Sequence, residues 1–256
     1  MPLFPSHDRS GAGTGTFSNN CIAIGFGSAT NGAGLDSISI GTQTMAPTRG
    51  SIAIGTASVA STNDFTIAIG DTAIASGVES VSMGLSANTS GEKCVAVGAL
   101  SKATGDFSVC IGGGACTTAG SGSSVVAIGK LAGAVNAPGN NAICIGTDAG
   151  QGTISAVGAS SICIGNQAGV TGAGTDSILI GQGSQGLTNN SIVINATGGT
   201  VSSVASGLVV KPIAVESTVS LENHVNLPTT ATGFTQVLCY NPTTGEIRAV
   251  TQPTIP

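Results

Sequence analysis

The chain has 256 residues, of which 40 are glycine and only 7% are charged, with no tryptophan and a single tyrosine. A formal net charge of −5 and a pI near 4.7 argue against nucleic-acid or anionic-membrane partners. Abundant isoleucine and valine with little charge argue against disorder, because there is enough apolar surface to bury.

Residues 1–19 open with Met1-Pro2-Leu3-Phe4-Pro5 and continue in Gly, Ser and Thr without an apolar run. They read as a flexible lead-in or a docking segment, since a signal peptide needs a basic start and an apolar stretch.

Residues 20–195 repeat one pattern, clearest in Ser51-Ile52-Ala53-Ile54-Gly55. Its copies close at Gly25, Gly41, Gly55, Gly70, Gly84, Gly98, Gly112, Gly129, Gly146, Gly165 and Gly181. A twelfth, Ser191-Ile192-Val193-Ile194-Asn195, has Asn where Gly stood. The interval ranges from 14 residues (Gly41 to Gly55) to 19 (Gly146 to Gly165). A short recurring period is the mark of a solenoid.

Within each copy two large apolar residues stand two apart, as in Ile22/Ile24, Val95/Val97 and Ile178/Ile180, so they share one face of a β-strand. The residue between them is usually small: Ala53, Ala68, Ser82, Cys110, Cys144. The large pairs are expected to point into the roll, and the small residues to face another backbone closely. The glycine permits positive φ and so an immediate corner. Three residues past it lies a second small position (Ser28, Thr44, Ser58, Ala73, Ala87, Ser101, Ala115), and two further on a third (Ala46, Ala60, Ala75, Thr89, Ala103). These predict a second, flatter strand in each coil. From Gly112 the period loosens through extra residues near 121–124, 137–140 and 153–159, which predict loops on one side of the rod.

Units such as Ser51-Ile-Ala-Ile-Gly-Thr-Ala-Ser-Val-Ala and Thr66-Ile-Ala-Ile-Gly-Asp-Thr-Ala-Ile-Ala resemble the head repeat of trimeric autotransporter adhesins. Ile145-Gly-Thr-Asp-Ala-Gly and Ile164-Gly-Asn-Gln-Ala-Gly resemble the looser variant in phage and large-virus fibre proteins. The resemblance spans roughly residues 20–195. It implies an all-β fold: a left-handed parallel β-roll of about 12 short coils, three chains side by side, used in surface adhesion.

Residues 196–256 leave the repeat and are expected to form a β-rich cap separate from the coils. In that stretch Gln236–Tyr240 and Glu246–Val250 flank Asn241-Pro-Thr-Thr-Gly245 and read as a β-hairpin.

No chemistry of catalysis, cofactor or metal stands out. The seven cysteines (Cys21, Cys94, Cys110, Cys116, Cys144, Cys163, Cys239) form no Cys-x-x-Cys pair and mostly occupy positions where other repeats carry Ser or Ala. They read as small buried residues. Polysaccharide-cleaving β-helices need paired carboxylates. Only Asp64 and Asp71, astride one coil, suggest such a pair, so no catalytic residue is assigned and an enzyme is not expected. Asn88, Asn189 and Asn195 begin Asn-x-Ser/Thr sequons.

The sequence therefore points to a structural, homotrimeric fibre or spike on a virion surface, assembled in a host cytoplasm and attaching to a host cell. Its expected partners are further copies of itself, capsid or tail proteins, and a host receptor or glycan, with no nucleic acid and no membrane insertion. The alternatives are a purely architectural virion component and the head of a bacterial surface adhesin at the cell surface.

Overall fold

The structure, a computed structural model, describes residues 18–29, 32–60, 63–117, 122–203, 206–211, 236–241 and 246–251. The described residues form an all-β solenoid without a helix. Its main element is a 15-stranded sheet. Thirteen strands run parallel in chain order: Ile22–Ile24, Ile38–Ile40, Ile52–Ile54, Ile67–Ile69, Val81–Met83, Val95–Val97, Val109–Ile111, Val126–Ile128, Ile143–Ile145, Ile162–Ile164, Ile178–Ile180, Ser191–Asn195 and Gly207–Lys211.

The sequence period becomes a spatial stack. Ile52 lies opposite Ile67 and Ile67 opposite Val81, while Ala53, Ala68 and Ser82 form the parallel column beside them. Coil-to-coil hydrogen bonds hold this register; Ile52 N donates to Thr66 O at 2.8 Å and Gly70 N to Ile54 O at 2.7 Å. A second parallel sheet joins Val59–Ala60, Ile74–Ala75, Asn88–Thr89 and Lys102–Ala103, as the second small-residue positions predict.

The space between the two sheets is narrow, and this reverses the expected facing. Ala53, Ala68, Ala96, Cys110, Ala127, Cys144 and Cys163, the middle residues of the three-residue strands, are fully buried. So are Ser58, Ala73, Ala87 and Ser101, three residues past each glycine, and Ala60, Ala75, Thr89 and Ala103 beyond them. The flanking isoleucines and valines instead look outward, half-buried or exposed, up to 47% at Ile22 and 40% at Ile194. Small side chains from both sheets meet inside, so an inward isoleucine would not fit at that separation.

The column widens toward the C-terminal end, where Leu179 and Val193 take the inner position and are fully buried. Room comes from glycines opposite. A Cβ on Gly186 would lie 2.7 Å from Leu179 Cδ2, and one on Gly169 2.6 Å from Cys163 Sγ. At the other end hydroxyls line the interior, with Ser39 and Thr44 bonded at 2.7 Å. A layer of hydroxyls crosses the middle: Thr89 donates to Ser80 at 2.9 Å and pairs with Ser82 at 3.0 Å. It separates one apolar cluster, Ala46 to Ala75, from another, Cys94 to Val209.

The corner glycines form a column of their own. Gly98 has φ +126°, and a Cβ there would sit 2.6 Å from Gly112 O. Each coil thus needs the hydrogen of the glycine below it. At the last copy Asn195 takes this place and uses its side chain: its Nδ2 donates to Gly199 O at 2.6 Å and its Oδ1 accepts from Thr197 N at 2.9 Å.

The loss of glycine at Asn195 does not end the parallel stacking. Gly207–Lys211 pairs parallel with Ser191–Asn195 over five residues, and Val201–Ser203 pairs parallel with Ser184–Gly186. Val201–Ser203 and Gly207–Lys211 therefore add a coil, where strands separate from the roll were expected. The expected hairpin is present: Gln236–Asn241 pairs antiparallel with Glu246–Thr251, which in turn pairs with Gly207–Lys211. The expected lead-in, residues 1–19, lies outside the described residues apart from Ser18 and Asn19.

Candidate interaction surfaces

Two features of the outer surface have the chemistry of contact. The first is the outward face of the large sheet. On twelve successive strands, from Ile22/Ile24 to Ile192/Ile194, both outward positions are Ile, Val or Met, without a polar interruption. Soluble monomers rarely expose contiguous apolar patches beyond about 300–600 Å². Here the apolar column runs the length of the roll.

The second lies on the corner that leads into the large sheet. Asp64-Phe65 and Asp106-Phe107 occupy the same turn position in two coils. Each pair grips one residue of the preceding coil. Asp64 Oδ1 accepts from Arg49 N at 3.0 Å, and Phe65 N donates to Arg49 O at 2.9 Å. Asp106 Oδ1 accepts from Glu92 N at 2.9 Å, and Phe107 N donates to Glu92 O at 2.8 Å.

Over each ring stands a cation of the preceding coil: the Arg49 guanidinium 5.5 Å from the Phe65 centroid, and Lys93 Nζ 5.6 Å from that of Phe107. The rings are 50% and 54% exposed. Lys93 also pairs with Glu92 at 2.7 Å, a hydrogen bond that, with the neighbouring charge, raises its pKa. The sequence signal for this corner, an Asp-Phe dipeptide at the same point of two repeats, is plain once the turn is known.

The suggestive acid pair is not assembled. Asp64 caps the corner before strand Ile67–Ile69, and Asp71 stands in the turn after it, so the strand separates them. Among the described residues no group of three or more His, Cys, Asp or Glu is placed to hold a metal ion. Nor, among the described residues, is any helix long and apolar enough to cross a membrane.

The cysteines sit inside as expected, except Cys21, which is partly exposed. Cys110 contacts Cys116, and Cys144 faces Cys163 in the next coil. Hydrogen bonding to the partner thiol and burial push the thiols of Cys110 and Cys144 up; burial does the same for Cys94. Protonated and enclosed, they are poor nucleophiles. Cys239 falls where side chains are outside the described residues.

Of the sequons, Asn195 is buried within its own turn, and Asn189 Oδ1 accepts from Thr175 N at 2.9 Å. The longer coils do form loops, and these are tied to one another. Gly139 N donates to Val157 O at 2.9 Å, Thr153 N to Val170 O at 2.7 Å, and Asn136 Nδ2 to Gly152 O. Comparison with protein-family models, curated proteins and solved structures found no match to this chain.

Proposed function

We propose that the chain is the rod of a homotrimeric fibre on a virion surface and that the fibre attaches the particle to a host cell. The observation that carries this reading is the outward apolar column. Fully burying an Ile or Val side chain is worth about 1.5–3 kcal/mol, and this face repeats such residues in pairs at every coil. Its obvious cover is the same column on another copy, since parallel copies bring identical residues to the same height.

Closed cyclic symmetry satisfies such a face without leaving it open to further chains. Three copies rather than two, and the left-handed winding, follow from the resemblance of the Ser-Ile-Ala-Ile-Gly units to adhesin head repeats. A parallel trimer also places the first strand of all three copies, Ile22–Ile24, at one end, as a fibre anchored at one end requires. In this reading the Gln236–Thr251 hairpin belongs to a cap over the roll's last strands, shielding edges that would otherwise recruit other chains.

Sedimentation equilibrium of the full chain tests the assembly, with a mass of three chains expected; a single-chain mass in native buffer overturns it. Binding of labelled trimer to cells, with competition against whole virions, tests attachment.

A further inference from the structure

Building on the attachment reading, we infer that the corner carrying Arg49, Asp64-Phe65, Lys93 and Asp106-Phe107 is a two-point binding ridge for a neutral, extended hexopyranose polysaccharide laid along the rod. Three observations carry it. The first is duplication: the same constellation occurs twice, an exposed phenylalanine ring, a carboxylate beside it and a cation over it.

The second is backbone conformation. Phe65 and Phe107 adopt φ of 58° and 59°, in the left-handed region that bulky residues avoid. Elsewhere in this column the position is held mainly by Asn, Asp, Ser or Gly, as at Asn20, Asp36, Gly50, Ser124, Asn141, Ser160, Asp176 and Asn190, with Glu79 and Lys93 the other long side chains. The rings remain half exposed, so core packing does not explain phenylalanine there.

The third is chemistry. The apolar C–H face of a pyranose stacks on an aromatic ring, whose face is electron-rich. A carboxylate has acceptor capacity for hydroxyls beyond the one backbone N–H it already binds, and Arg and Lys supply donors. The backbone of both phenylalanines is bonded to the coil before and a cation lies over each ring, so little ordering remains to be done on binding. They lie three coils apart, about 14 Å at ~4.8 Å per strand, which several residues of an extended glycan bridge and a disaccharide does not.

Titration calorimetry on the full chain tests this, using neutral disaccharides and hexasaccharides built from glucose, mannose, galactose or N-acetylglucosamine. For at least one sugar the hexasaccharide should bind about tenfold or more tightly than the disaccharide, because the second contact becomes intramolecular. Phe65→Ser and Phe107→Ser should each abolish that gain, and the double variant should abolish binding. Serine is tolerated there, since Ser124 and Ser160 hold the same turn position at φ 58° and 56°.

Asp64→Asn with Asp106→Asn should weaken binding while keeping the turns, because Asn140 and Asn189 make the same cap in other coils. No binding to any of these sugars, or equal binding by the double phenylalanine variant, overturns the ridge. Cell binding run in parallel separates the two readings. Cells bound equally by wild type and double variant, with no oligosaccharide bound by either, refute the ridge and leave attachment standing. Oligosaccharide binding that the variants lose, with no cell bound, refutes attachment and leaves the ridge standing.

Discussion

Ala68 and Ile69 are consecutive residues of one three-residue strand and lie on opposite sides of it: Ala68 is fully enclosed, whereas Ile69 faces outward and is only half-buried. Their substitutions should therefore separate folding from assembly. Ala68→Asp places a carboxylate in a space that holds only small side chains, and an unpaired charge there costs several kcal/mol. We expect no folded protein. Ile69→Asp should leave the roll folded, with unchanged circular dichroism, and lower the association constant measured by sedimentation. Equal loss of structure in both variants would contradict the assignment of faces.

Gly98→Ala should cost of order 1–3 kcal/mol, because φ there is +126° and the added methyl would meet Gly112 O at 2.6 Å. Ala99→Gly, in the exposed turn beside it, should change stability much less. Denaturant unfolding of the two variants checks the difference.

Cys144 and Gly150 are coupled through space, since a Cβ on Gly150 would overlap Cys144 Sγ. Gly150→Ala should destabilise by about 1–3 kcal/mol through overpacking. Adding Cys144→Ala should recover part of the loss, because Ala already fills that position at Ala53, Ala68 and Ala127. A double-mutant cycle with no coupling energy would show that the loss comes from the backbone at φ +58° alone.

The raised thiols predict an alkaline limit. Cys94, Cys110 and Cys144 have folded-state values above the ordinary 9.0, so the folded chain keeps protons that the unfolded chain releases. Their contribution is fully present below about pH 9 and is lost as pH rises beyond it. The melting temperature should fall between about pH 8.5 and 10.5, and less steeply in the Cys110→Ala/Cys144→Ala variant.

The sequence makes the stacking legible because period, strand and corner all depend on local residues: Ile-x-Ile for extension, Gly for the turn, Ser or Ala for the second sheet. Which face is inside is not local. Ile52/Ile54 and Ala53 define two faces equally well, and only the distance between the sheets, set by Ser58 and Ala60 opposite, decides between them. The added coil at Gly207–Lys211 escapes notice because it lacks the corner glycine, although Leu208-Val209-Val210 repeats the apolar pattern of Ile192-Val193-Ile194 at a spacing the other coils allow. The Asp-Phe corner is invisible as a cluster until coils 14 or more residues apart are stacked.

The hydroxyl layer of Ser80, Ser82 and Thr89 sets a limit on how far damage travels. Apolar contacts run continuously on either side of it but are interrupted there, so fraying that starts at Ala46 has a place to stop before it reaches Cys94. The strands themselves pass through this layer without a gap, Ser82 lying opposite Ala68 and Ala96 and Thr89 opposite Ala75, so it is the side-chain packing alone that is divided there. In the fibre proposed above, such an interruption would let packing loosened at one end of the shaft stop short of the other, where a uniform apolar core offers no such boundary.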